Sequence, residues 1–128
     1  MALPIQIILT RQLAGYLSVP LFLIDPNGNL LFYNEPAEAI LGRRFEETGA
    51  MPAEVWLSTF TALDDQGQPM PAADRPTMIT LARRRPVHKR FFLQGAGGIR
   101  RQIEAASIPI TGLEGDFLGA ATLFWEVE

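Results

Sequence analysis

The densest grouping of reactive side chains is cationic. Arg83, Arg84, Arg85, Lys89, Arg90, Arg100 and Arg101 make up seven of the chain's 11 Lys and Arg residues, and no acid lies among them. A guanidinium offers a planar fork of N–H donors that fits carboxylate or phosphate oxygens two at a time. Arg85, His88 and Arg90 are therefore the candidates for holding an oxyanion. The competing reading is a solvated face, with three arginines closing a helix and the remaining cations alternating along strands. Nucleic acid fits the stretch poorly. Phe91 and Phe92 are adjacent and cannot both stack outward, and the net charge is −3. Gly95-Ala96-Gly97-Gly98 has neither a following helix nor a Lys-Ser/Thr pair, so it reads as a hairpin turn and not a phosphate loop.

Other chemistry is limited by what the chain lacks. It has no cysteine, which excludes disulfides, thiolate metal sites, cysteine nucleophiles and cysteinyl-flavin adducts. With His88 as the single histidine, a Ser-His-Asp set has little to draw on, no metal site is expected, and no catalytic residue is assigned. At 128 residues the chain is one domain that can bury a sizeable core. The −3 charge is a sum of opposites: residues 35–74 carry eight acids against Arg43 and Arg44. The apolar start Ala2–Leu9 lacks a basic leader and is far shorter than the roughly 18 apolar residues of a membrane span. The expectation is a cytoplasmic protein, free-standing or cut from a longer one.

The elements that must position these groups are marked along the chain. Ile5, Ile8, Leu9, Leu13 and Tyr16 recur at helical spacing after Pro4, with Ile7 off that face. This stripe carries more apolar surface than one sheet face requires, so residues 1–17 are expected to form a flanking or dimerisation helix. Leu21–Ile24 and Leu30–Tyr33 flank Asn27-Gly28, a strong hairpin signal. Asn34 stands where a helix cap belongs, with Glu35 and Glu38 in the first turn and Gly42 at the close. A helical turn over Ala53–Phe60, a polar loop at 64–69 and a helix capped by Asp74 and stopped by Pro86 follow. Three strands are expected over 87–93, 99–110 and 117–127, with a ladder fault at Pro109. Such an order predicts an α+β domain with an antiparallel sheet.

Residues 18–128 resemble a PAS sensor domain. The likeness rests on Pro20 to Gly28 (PLFLIDPNG), on Phe32-Tyr33-Asn34 leading into Ala37 to Gly42, and on Leu63 to Pro71 (LDDQGQPMP) with Arg75-Pro76. The last of these is similar to the D-x-D-G-x-P-x-P loop of one PAS subgroup. Ala105 to Ile110 with Gly115, Gly119 and Phe124 resembles the two closing strands. The resemblance implies a five-stranded antiparallel sheet in the order 2-1-5-4-3, with helices on one face and a small cavity for a ligand between them. It also implies an N-terminal helix or a second copy of the domain on the other sheet face. Signal output in the family usually passes through Asp-x-Thr at the end of the last strand. Glu126-Val127-Glu128 stands at the matching positions, which leaves the output partner open.

By that resemblance the expected role is a non-catalytic sensory or interaction domain of signal transduction, as in two-component systems. Ile24, Tyr33, Leu41, Trp56, Met78, Leu81, Phe92 and Ile103 are candidates for lining the cavity. They serve equally well as an ordinary filled core. Haem remains an alternative only through His88, since the helix over 75–85 has no histidine, and no cofactor is assigned. A homodimer through the N-terminal stripe and the sheet face is expected, with a small-molecule ligand or an effector protein as further partners. The rivals are a dimerisation module with a filled core and a small-molecule enzyme on the same scaffold.

Overall fold

Pro4 caps helix α1 (Ile5–Tyr16), which presents Ile7 and Ala14 to the rest of the protein. The computed structural model describes residues 3–95 and 97–127. Ala96 of the glycine-rich turn and Glu128 of the terminal Glu-Val-Glu lie outside the described residues, as do Met1 and Ala2. Strands β1 (Leu21–Ile24) and β2 (Leu30–Tyr33) form the expected hairpin. Its loop is held by Asp25, whose Oδ1 accepts from the backbone N–H groups of Asn27 and Asn29, each at 2.9 Å. Gly28 supplies the positive φ that the turn needs.

Helix α2 (Glu35–Leu41) begins at Asn34, whose side chain accepts from Ala37 N, and ends at Gly42 in the left-handed region. Two short helices follow, α3 (Phe45–Thr48) and α4 (Ala53–Thr59). Strand β3 (Thr61–Leu63) comes next, then a single 3-10 turn over Ala72–Asp74 and helix α5 (Pro76–Arg83). The cap of α5 is Arg75, because Asp74 is taken into the 3-10 turn before it. Strands β4 (Val87–Gln94), β5 (Arg100–Thr111) and β6 (Phe117–Glu126) complete the chain.

The sheet has six strands in the order β2-β1-β6-β5-β4-β3, not the expected five. The extra strand is β3, which pairs antiparallel with the outer edge of β4 through Thr61↔Gln94, Ala62↔Leu93 and Leu63↔Phe92. Without β3, the order is the expected 2-1-5-4-3. Three residues between a helix and a turn are too few to show a strand's alternation, and they extend because β4 otherwise leaves an unpaired edge. At Pro109 the β5–β6 pairing runs through and the register shifts one residue later, between Ile110 and Thr111. The ladder tolerates Pro109 because β4 stops opposite Ser107, so on that side no bond is missed.

Alternation along the strands divides the interior into two layers. Ile24, Leu30, Phe91, Leu93, Ile103 and Phe124 point toward α2, α4 and α5 and form the main core. Leu21, Leu23 and Ala121 point the other way and pack against Ala14 of α1. The sheet is thus covered by helices on one face and by α1 on part of the other.

Candidate ligand cavity

Within the main layer the side chains leave a cavity of about 50 Å³. Its walls come from nearly every element. Phe22 and Leu30 reach it from the hairpin, Leu41 from α2, and Trp56 with Phe60 from α4 and its C-cap. Phe91 and Leu93 of β4, Ile103 and Ala105 of β5, and Thr122 with Phe124 of β6 form the floor, and the start of α5 closes the remaining side. Phe22 sits between two rings, with centroids 6.0 Å from Trp56 and 5.8 Å from Phe124 in tilted arrangements.

Three polar side chains line this apolar space: Arg75, Thr77 and Thr122. The two hydroxyls are engaged with each other at 2.8 Å, and Thr122 donates on to Ser107 Oγ at 3.0 Å. All three residues of that ladder are buried. Arg75 differs. It is 9% exposed, and one Nη2 proton goes to the Leu57 carbonyl at 2.8 Å. Its Nε is buried without a partner, and among the described residues no carboxylate forms an ion pair with it. Desolvation pushes the guanidinium down to about 10, which leaves it charged at neutral pH.

Of the residues expected to line a cavity, Leu41, Trp56 and Ile103 do so. Ile24 and Tyr33 are fully buried in the same core but stand away from the space, and Met78 and Leu81 pack on the core's margin. Phe92 is on the other side of β4. Phe91 pairs across from Ile103 and shares its inward face, so its neighbour turns out and lies under the Arg100 guanidinium, 4.4 Å from ring centroid to Cζ. The polar handles of two aromatic candidates are committed to the backbone. Trp56 Nε1 donates to the Gly28 carbonyl at 2.8 Å, and Tyr33 Oη donates to the Arg43 carbonyl at 3.0 Å. Burial also pushes the Tyr33 phenol up.

The cationic run does not gather into a pocket. Arg90 donates Nε and Nη2 to Glu104 Oε1, at 3.2 and 2.8 Å, and His88 Nε2 lies 3.8 Å from Oε2 of the same carboxylate. These hydrogen bonds hold the Glu104 carboxyl below its usual range. Arg101 pairs with Glu126 at 3.0 Å, Lys89 donates to the Asp74 carbonyl, and Arg84 covers the Phe117 ring. Arg85 lines an open surface groove that Asp74 shares. His88, 60% exposed in its side chain, stacks on Trp125. The candidate anion ligands Arg85, His88 and Arg90 are therefore dispersed, two of them around an acid. The strand register supplies acids to Arg90 and Arg101, while Arg83, Arg84, Arg85, Lys89 and Arg100 form no ion pair among the described residues.

The residue missed from the sequence is Arg75, which entered only as part of the Arg-Pro pair. One signal was present: it is the single cation between Arg44 and Arg83. On α1, the stripe residues Ile5, Ile8, Leu9, Leu13 and Tyr16 all face solvent, with Leu13 at 57% and Tyr16 at 90% exposure. Among the described residues no three His, Cys, Asp or Glu side chains cluster as metal ligands, and no helix is long and apolar enough to cross a membrane.

No family model and no curated protein matches the chain. Solved structures do. The PAS domain of BvgS from Bordetella pertussis is 16% identical with a TM-score of 0.65, covering 95% of this chain and 85% of that one. The light-state dimer of the fungal blue-light photoreceptor Vivid is 15% identical with a TM-score of 0.63, over 85% of this chain and 78% of that one. The LOV protein of Rhodobacter sphaeroides is 14% identical with a TM-score of 0.73, over 98% and 69%. At these identities the likeness is one of architecture, and the chain has the fold of the PAS domains.

Proposed function

We propose that residues 18–128 are a sensory and interaction domain of signal transduction, of the PAS subgroup with a D-x-D-G-x-P-x-P loop, acting in the cytoplasm and without chemistry of its own. A small ligand enters the cavity between helices and sheet, and residues 1–17 join the domain to a second copy. The observation that carries this reading is the space ringed by Phe22, Trp56 and Phe124 in an otherwise filled core. Dimerisation is supported by the unpartnered face of α1 and by Ile108 and Trp125, both partly exposed on the outer side of the sheet. Vivid, which shares the fold, is described as a dimer in its light state.

A filled-core dimerisation module is the second reading, favoured by the small size of the space. Native mass spectrometry of the purified protein separates the two. The sensor reading expects a dimer that carries, or accepts on titration, an added small mass. A dimer that takes up nothing supports the module, and a monomer that takes up nothing overturns both. Leu9→Glu with Leu13→Glu is expected to give a folded monomer; an unchanged dimer mass would remove α1 from the interface.

A further inference from the structure

Strand β4 is paired along the whole of one edge and only at the end of the other. It bonds to β5 from Val87 to Gln94, whereas β3 reaches only Phe92, Leu93 and Gln94. Among the described residues no other backbone group pairs with that second edge over residues 87–91. An open edge of this kind is a row of N–H and C=O groups that another extended chain can complete. The same stretch borders a surface groove, to which Val87 contributes together with Ile79 and Ala82 of α5. Arg83 and Arg85 also line the groove, both exposed, and neither forms an ion pair among the described residues. Lys89 shares the face of Val87 and has no carboxylate partner among them either; its Nζ donates to the Asp74 carbonyl at 3.0 Å. Asp74 is the one acid in the lining, so three cations stand against a single carboxylate.

These surroundings select the occupant. A second copy is the wrong one, because two β4 edges meeting across a two-fold axis would set Lys89 and the two arginines against their own equivalents. Nucleic acid or lipid headgroups would answer the charges but not the row of backbone groups. We propose that the open edge of β4 takes an extended acidic segment of a partner protein as an added strand. One apolar side chain of that segment lies in the groove against Ile79, Ala82 and Val87. Carboxylates two residues to either side, on the same face of the added strand, reach Arg83, Arg85 and Lys89. Backbone pairing gives the segment its hold, and the cations give the choice of partner. The surface is separate from the cavity and goes beyond the ligand-binding reading, since it names the chemistry through which the domain meets an effector.

The test uses the full chain and three acetylated, amidated pentapeptides. In Glu-Thr-Val-Thr-Glu the acids and the valine share one face; Gln-Thr-Val-Thr-Gln removes the charge and Lys-Thr-Val-Thr-Lys reverses it. Calorimetric titration reads affinity, and amide hydrogen exchange reads strand addition. The acidic peptide is expected to bind most tightly, to weaken as salt rises, and to slow exchange at the edge-facing amides of residues 87–91. Arg83→Glu with Arg85→Glu should cost it at least about ten-fold and turn the preference toward the lysine peptide. Arg85→Glu alone should show the same change at smaller size, which preserves the test should the double variant fail to fold. Equal affinity of the acidic peptide for native and charge-reversed protein would overturn the proposal, and so would binding that leaves exchange at 87–91 unchanged. It would also fall if a single-stranded RNA oligonucleotide or vesicles containing phosphatidylserine bind while the acidic peptide does not. None of these results touches the cavity reading, because no probe has to enter the core.

Discussion

Asn34→Ala probes the junction on which both layers depend. The Asn34 side chain is 2% exposed and fully engaged. Its Oδ1 accepts from Leu21 N at 3.0 Å and Ala37 N at 3.2 Å, while Nδ2 donates to the carbonyls of Ala14 at 3.0 Å and Val19 at 2.9 Å. One amide therefore ties the end of α1, the start of β1 and the first turn of α2. In the alanine variant the Ala14 carbonyl keeps its bond from Leu17 N. The Leu21 and Ala37 N–H groups and the Val19 carbonyl lose their partners. Each such group costs about 1–3 kcal/mol, and the lower end applies because the vacated space can admit a water. The expected loss is then about 3 kcal/mol, which for a chain of this length lowers the unfolding midpoint by about 11 °C. Urea denaturation followed by far-ultraviolet circular dichroism measures it, with the slope unchanged if only stability moves. Asn34→Asp keeps both acceptor bonds but turns an anionic oxygen toward two carbonyls, so at neutral pH it should be no more stable than the alanine variant. A loss under about 1 kcal/mol for alanine, or native-like stability for aspartate, would refute the reasoning.

Gly119→Ala should cost at least about 2 kcal/mol in the same assay, because residue 119 has φ near 135° and a Cβ there would be driven into the Ile24 carbonyl; a near-neutral result would mean that β1 and β6 can separate freely. Trp56→Phe leaves the buried Gly28 carbonyl without its donor and is expected to cost about 1–3 kcal/mol, with stability at native level as the contrary outcome. The lowered Glu104 carboxyl stabilises the fold above its unfolded value of 4.5, and that contribution disappears as pH falls through the lower folded value. Arg90→Ala should therefore be less stable than the native protein at pH 7 and converge with it in acid. A gap that does not narrow with falling pH would show that the Arg90–Glu104 hydrogen bonds are not its source.

How far these features could be seen in advance depended on whether their cause was local. The hairpin and α2 were readable because Asp25, Asn27-Gly28, Asn34 and Gly42 act through backbone geometry within a few residues. Strand β3 was not, since its three residues are extended by pairing with β4, some thirty positions later. Phe91 and Phe92 are equivalent as neighbours, and only the partner Ile103 decides which one turns inward. The cationic run looked like a site because Glu104 and Glu126, which neutralise Arg90 and Arg101, arrive from adjacent strands. Arg75 is the converse. Arginine is ordinarily a surface residue, and nothing local marks this one as buried, because α5, Trp56 and the Leu57 carbonyl enclose it only in the folded chain.

The central claim is that a small ligand is bound between helices and sheet and not on the charged surface, and an amide chemical-shift map of the full chain titrated with small aliphatic and aromatic compounds tests it most directly. The account predicts saturable shifts at Phe22, Trp56, Thr77 and Phe124, around the cavity and Arg75, with His88, Lys89 and Arg90 following only ionic strength. Shifts confined to the exposed cationic strand, or none at all in the interior, would contradict it.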